Sequence, residues 1–115
     1  MYNDRAEEIC ANLGVLAEII KDKTGAKIML ISPPKIVENT KITSKYYVGG
    51  EEKSRKLNLL YERLAQDSGY MFVSGFDLEI GEDGEHLTKI GHQKLGERVA
   101  KNIKNLCLMD KTKDK

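Results

Sequence analysis

Two short apolar runs, each shut off by turn-forming residues, constrain this chain more than anything else in it. Ala26-Lys27-Ile28-Met29-Leu30-Ile31 is stopped by Ser32-Pro33-Pro34, and Tyr70-Met71-Phe72-Val73-Ser74 lies between Gly69 and Gly75. Short apolar runs bounded by turn signals predict strands. The first is apolar at almost every position, which predicts burial on both faces. The paired prolines bar its continuation, because proline brings no N–H to a ladder.

Helical periodicity surrounds both runs. From Ala6 to about Lys21, residues Ile9, Cys10, Leu13, Leu16, Ala17 and Ile20 recur at helical spacing. Asp4, Glu7 and Glu8 put negative charge at the start, Lys21 and Lys23 put positive charge near the end, and Gly25 breaks the pattern. A second stripe, Leu57, Leu60, Tyr61, Leu64 and Ala65, runs within Glu51 to Ser68, with Gly69 as a natural C′ residue. Thr88 can cap a last helix in which Gly91, Leu95, Val99, Ile103 and Leu106 share one face.

The order is helix, strand, loop, helix, strand, loop, helix. Strands alternating with helices imply parallel pairing through helical crossovers, an α/β architecture. Two strands offer too little sheet for three helices to cover. The sequence therefore reads as the later part of a larger doubly wound domain: one partial domain over residues 1–110, then a disordered basic tail at 111–115.

Composition excludes more than it suggests. Nineteen basic and eighteen acidic residues leave a net charge of +1, so no global field points to nucleic acid or a membrane surface. Cys10 and Cys107 suit reduced thiols of a cytosolic protein. Met1-Tyr2-Asn3-Asp4-Arg5 has no apolar core of a secretory signal, and the chain is expected to be cytoplasmic.

Chemistry concentrates in Asp83-Gly84-Glu85-His86-Leu87-Thr88, followed by Gly91-His92. Three residues apart in a turn, Asp83 and His86 can converge as an orienting carboxylate and a general base. An exposed surface turn is the plainer reading of those residues taken alone. Asp83, Glu85, His86 and His92 match no standard metal spacing, so no metal is expected.

The whole block from Asp83 to Gly96 resembles the last block of the SGNH, or GDSL-type, ester hydrolases, in which Asp-x-x-His precedes a capped helix carrying Gly-His. Ile28 to Pro34 resembles that family's penultimate strand and its proline-containing loop. Tyr70 to Ser74 resembles the strand leading to the catalytic block. The resemblance implies the C-terminal part of a three-layer αβα, flavodoxin-like domain with a parallel sheet. It implies His86 as general base, Asp83 as its orienting partner, and acyl transfer without a cofactor. His92 is expected to be structural, its imidazole bonding back into the loop.

The departures bear on activity. The family's nucleophile sits in a Gly-Asp-Ser block, which this chain lacks; Ser32, Ser44, Ser54, Ser68 and Ser74 have other settings. No segment matches the block that supplies an oxyanion-hole glycine. Met1-Tyr2-Asn3-Asp4 resembles the family's Gly-x-Asn-Asp block with Met1 for glycine. That would make Asn3 an oxyanion donor, and a place just ahead of the helix suits Asn3 equally. The loop over residues 35–50 is longer than a connection needs. Its Tyr46 and Tyr47 read either as a cleft wall for an acyl or aryl group or as packing for the loop itself. The expectation is an esterase part that is inactive alone, with a small-molecule ester as substrate once the missing half is supplied. A homodimer or a complementing N-terminal fragment would be the partner. A pseudo-enzyme used for binding, and one half of a two-chain esterase, are the alternatives.

Overall fold

The computed structural model describes residues 5–37, 50–84 and 86–113, the last few of these by backbone alone. Asn3, Tyr46 and Tyr47 lie outside the described residues. Three helices and two strands alternate: α1 (Ala6–Thr24), β1 (Met29–Ile31), α2 (Gly50–Ser68), β2 (Met71–Val73) and α3 (Lys89–Lys113).

The helix ends follow their sequence signals. Glu7 and Glu8 occupy the first turn of α1, and Lys21 and Lys23 the last. Gly25 takes the left-handed conformation, φ 70°, and its N–H returns to the Lys21 carbonyl. The Thr24 hydroxyl donates to the Ile20 carbonyl at 2.6 Å and accepts from the Ala26 N–H at 3.1 Å. At the far end of α2, the Tyr70 N–H reaches back to the Ala65 carbonyl at 2.9 Å. The last helix continues to Lys113, so Lys111 to Lys113, read from sequence as tail, are helical.

β1 and β2 pair in parallel, Met29 opposite Met71, Leu30 opposite Phe72 and Ile31 opposite Val73. A parallel pair needs a long crossover, and α2 supplies it. This helix packs on both strands, α1 packs on α2, and α3 meets β2. Between α1 and α2, Gly14 leaves room for Leu64, and Lys56 pairs with Glu7. That pairing holds the Glu7 carboxyl below its ordinary value. Burial pushes the Cys10 thiol up. Cys10 and Cys107 are both free thiols.

The core is small: Ala6, Ala17, Leu30, Leu57, Ala65, Val73 and Leu78. The first strand is not buried on both faces as its apolar run predicts. Leu30 is buried, Met29 is half-buried, and Ile31 is 42% exposed. The sheet holds two strands among the described residues, so no described strand pairs with the outer edge of β1. Leu16 and Ile20 of α1, both exposed, line a groove with Ile28, Met29 and Leu30, and Val15 and Ile19 of α1 are exposed as well. On α3, Gly91 is buried and Leu95, Val99 and Leu106 are half-buried, but Ile103 is 49% exposed. Arg98 and Asn102 share the inner stripe instead. Among the described residues no helix is long and apolar enough to cross a membrane.

Candidate active site

The segment after β2 forms a short hairpin. Ile80 bridges Leu87 in antiparallel fashion, the Gly81 N–H donates to the His86 carbonyl at 2.9 Å, and the Thr88 N–H donates to the Glu79 carbonyl at 3.2 Å. The Gly84 N–H closes the tip on the Gly81 carbonyl at 3.0 Å, with Gly84 at φ 77°. Asp-Gly between apolar residues is the sequence signal for such a tip. The hairpin leaves no alternating pattern in the sequence, because the Ile80–Leu87 pairing is a single bridge.

Asp83 and His86 meet at that tip. One carboxylate oxygen, Oδ1, accepts the His86 backbone N–H at 3.0 Å, and the other, Oδ2, lies 2.5 Å from His86 Nδ1. A carboxylate oxygen can only accept, so the ring nitrogen facing it carries the proton. In the neutral ring Nε2 is then an acceptor, the tautomer a general base needs. The imidazole is 74% exposed and the carboxylate 35%.

The helix that follows is capped by Thr88. Its hydroxyl accepts the Gly91 N–H at 3.1 Å and donates to Glu79 Oε1 at 2.6 Å, tying cap to hairpin. Gly91 faces the hairpin so closely that a Cβ there would lie 2.5 Å from the Glu79 carbonyl oxygen. Its neighbour His92 therefore turns away, about 100° around the helix. His92 is exposed, and among the described residues its imidazole makes no hydrogen bond into the loop; only its backbone N–H does, to Thr88. The expected structural bond is absent because Gly91 occupies the facing position.

Two further sets of residues hold the loops, and sequence reasoning missed both. Asn58 Oδ1 accepts from the Ser32 hydroxyl at 2.6 Å and from the Ser74 hydroxyl at 2.8 Å. Each serine directly follows its strand, and the pairing of Ile31 with Val73 sets them side by side. A serine ending both strands was the available signal. Arg98 of α3 donates to the Ser74 carbonyl at 2.8 Å and grips Asp77 through both carboxylate oxygens, at 2.7 and 3.1 Å. This guanidinium lowers the Asp77 carboxyl below its ordinary value, and the carboxylate raises Arg98.

Ser32, Ser54 and Ser74 are thus bound into the scaffold: the protons of the first and third go to Asn58, and that of Ser54 goes to the Glu51 carbonyl at 2.9 Å. No cluster of three or more His, Cys, Asp or Glu able to hold a metal occurs among the described residues.

No protein-family model matches the chain, and no curated protein matches it. Among solved structures, the fold superposes on Est24, a carbohydrate acetylesterase from Sinorhizobium meliloti, with a TM-score of 0.73 at 26% identity. The chain has an α/β fold that matches part of this esterase. The match covers 88% of this chain and 52% of Est24, so the chain spans about half that protein's length.

Proposed function

We propose that the chain is the base-bearing, C-terminal part of an SGNH-type serine esterase. The observation that carries this is the Asp83–His86 contact, 2.5 Å from Oδ2 to Nδ1, at the tip of a hairpin that precedes a Thr-capped helix on an esterase fold. In this reading His86 Nε2 takes the proton of a serine hydroxyl as it attacks an ester carbonyl. The proton then passes to the leaving alcohol, an acyl-enzyme forms, and water releases the acid by the same base. Asp83 holds the ring and stabilises the imidazolium that arises in each step.

In this reading the serine comes from a further segment, and Asn3 is the oxyanion donor proposed from this chain. Tyr46 and Tyr47 are assigned to the cleft wall. The acetylated carbohydrate named for Est24 is the substrate class we assign here, because the likeness extends over 88% of this chain. On this mechanism the chain by itself has no nucleophile and hydrolyses no ester.

A second reading, a binding module without catalysis, draws on the outer edge of β1, which pairs with no strand among the described residues and so invites another chain. One experiment separates them. The chain is mixed with a polypeptide carrying a Gly-Asp-Ser block encoded beside it, and p-nitrophenyl acetate hydrolysis is followed. A gain in rate that His86→Ala abolishes supports the esterase. No gain, with His86→Ala matching the parent, overturns it.

A further inference from the structure

The two loops that leave the strands converge on the Asp83–His86 tip, and one face of α2 holds both. Ser54 and Asn58 are a helical turn apart. The Ser54 hydroxyl accepts the Ile36 N–H at 3.2 Å, which fixes the segment after β1. The next residue, Val37, donates its N–H to the Gly84 carbonyl at 2.7 Å, beside Asp83. Asn58 binds the start of both loops through the Ser32 and Ser74 hydroxyls. Those same hydroxyls accept the Gly75 N–H at 3.0 Å and the Phe76 N–H at 3.3 Å.

Close packing reinforces this junction. A Cβ on Gly75 would lie 2.3 Å from the Ser32 carbonyl oxygen, so the two loops cross in backbone contact. Ser32 is 1% exposed, and its hydroxyl finds its acceptor in Asn58. Removing that acceptor leaves a buried donor without a partner, which costs more than an ordinary hydrogen bond contributes.

We propose that Asn58 is a positioning residue for the Asp83–His86 pair: its side-chain oxygen sets the two strand-end loops against each other, and thereby the place of the hairpin tip that Val37 holds. This rests on the esterase reading for its purpose, though not for its geometry. The clasp acts at a distance from the imidazole and touches no reacting atom.

The test is amide hydrogen exchange on the full chain with Asn58→Leu, which keeps the bulk and removes the acceptor, and Asn58→Asp, which keeps the acceptor. In Asn58→Leu the protection of the Val37 and His86 N–H groups is expected to fall about tenfold, as for the loss of one to two hydrogen bonds. The Met71 N–H, bonded to the Ile28 carbonyl within the sheet, serves as internal control and is expected to change less than about threefold. Asn58→Asp is expected to restore Val37 and His86. The fraction of His86 protonated at Nδ1, read by long-range proton–nitrogen NMR, is expected to fall in Asn58→Leu alone.

Equal losses at Val37, His86 and Met71, or no loss at Val37 and His86, overturn the proposal. Should Asn58→Leu not fold, Ser74→Ala, which removes one of the two donors, carries the same comparison. Failure of p-nitrophenyl acetate hydrolysis in the reconstituted protein would strike at the esterase reading and leave this exchange pattern as it is.

Discussion

The end of the sheet where β1 and β2 finish and the outer flank of β1 are built on opposite terms. At the strand ends, Ser32, Ser54, Asn58, Ser74, Asp77, Thr88 and Arg98 are all hydrogen-bonded across segments or to the adjoining backbone, and two backbones pass close enough to require glycine. Along the flank, Leu16 is 55%, Ile20 41% and Ile31 42% exposed, beside a groove of about 310 Å³ lined by Leu13, Ala17, Ile28 and Met29. Polar groups are settled where chemistry is proposed, and apolar groups are exposed along the flank. Apolar area contributes on the order of 25 cal/mol per Å² when buried, so the flank is where stability goes unrealised. Among the described residues, the strand ends are closely hydrogen-bonded, and the flank carries exposed apolar side chains.

Substitutions can break this contrast. The largest effects belong to the clamped end. Gly75→Ala forces a methyl group against the Ser32 carbonyl and is expected to cost about 3 kcal/mol or more in urea unfolding. Leu57→Ala, in the helix that holds both strands, is expected to cost about 2–5 kcal/mol. Asn58→Leu follows at about 1–3 kcal/mol, the penalty for hydroxyls without an acceptor. If any of these matched the effect of a flank substitution, the clamped end would not be the better-formed region.

The Arg98–Asp77 pair sharpens the comparison through pH. Asp77 is lowered in the folded chain, chiefly by its hydrogen bonds from Arg98, so it binds a proton less readily than in the unfolded chain. Its contribution is fully present above the unfolded value of about 4 and is lost as pH falls through the lowered folded one. The Asp77 side chain is 64% exposed, so solvent screening keeps this below about 1 kcal/mol. Melting curves of Asp77→Asn against the parent should differ above pH 5 and converge toward pH 2. A difference that grew on acidification would refute the assignment.

The smallest effect is expected on the flank. Leu16→Lys and Ile20→Lys should each change stability by no more than about 0.5 kcal/mol, because neither side chain is buried within the chain. Sedimentation gives the complementary reading: if a second copy covers this flank, both substitutions shift the chain toward monomer.

Local signals made the helices legible. Charge at the ends of α1, Gly25 beyond it, the stripe of α2 and the Thr88 cap are all properties of neighbouring residues, and the structure has them. The Asp83–His86 contact was legible for the same reason, since three residues in a turn decide it. What stayed hidden depends on partners far along the chain. The apolar run of β1 predicts two covered faces, but coverage needs neighbours on both sides, and among the described residues β1 pairs with β2 alone, leaving Ile31 42% exposed. The clasp joins Ser32 to Asn58 and Ser74 across separate segments, which no local pattern encodes. Arg98 of α3 likewise reaches Ser74 and Asp77, more than twenty residues back along the chain.

The central claim is that His86 stands ready to accept a proton at Nε2 because Asp83 holds the other nitrogen. Long-range proton–nitrogen NMR of the neutral ring tests it in this chain alone. The account predicts the proton on Nδ1, and a shift toward the mixture of free imidazole in Asp83→Ala. A parent chain with its proton mainly on Nε2, unchanged by that substitution, would contradict it.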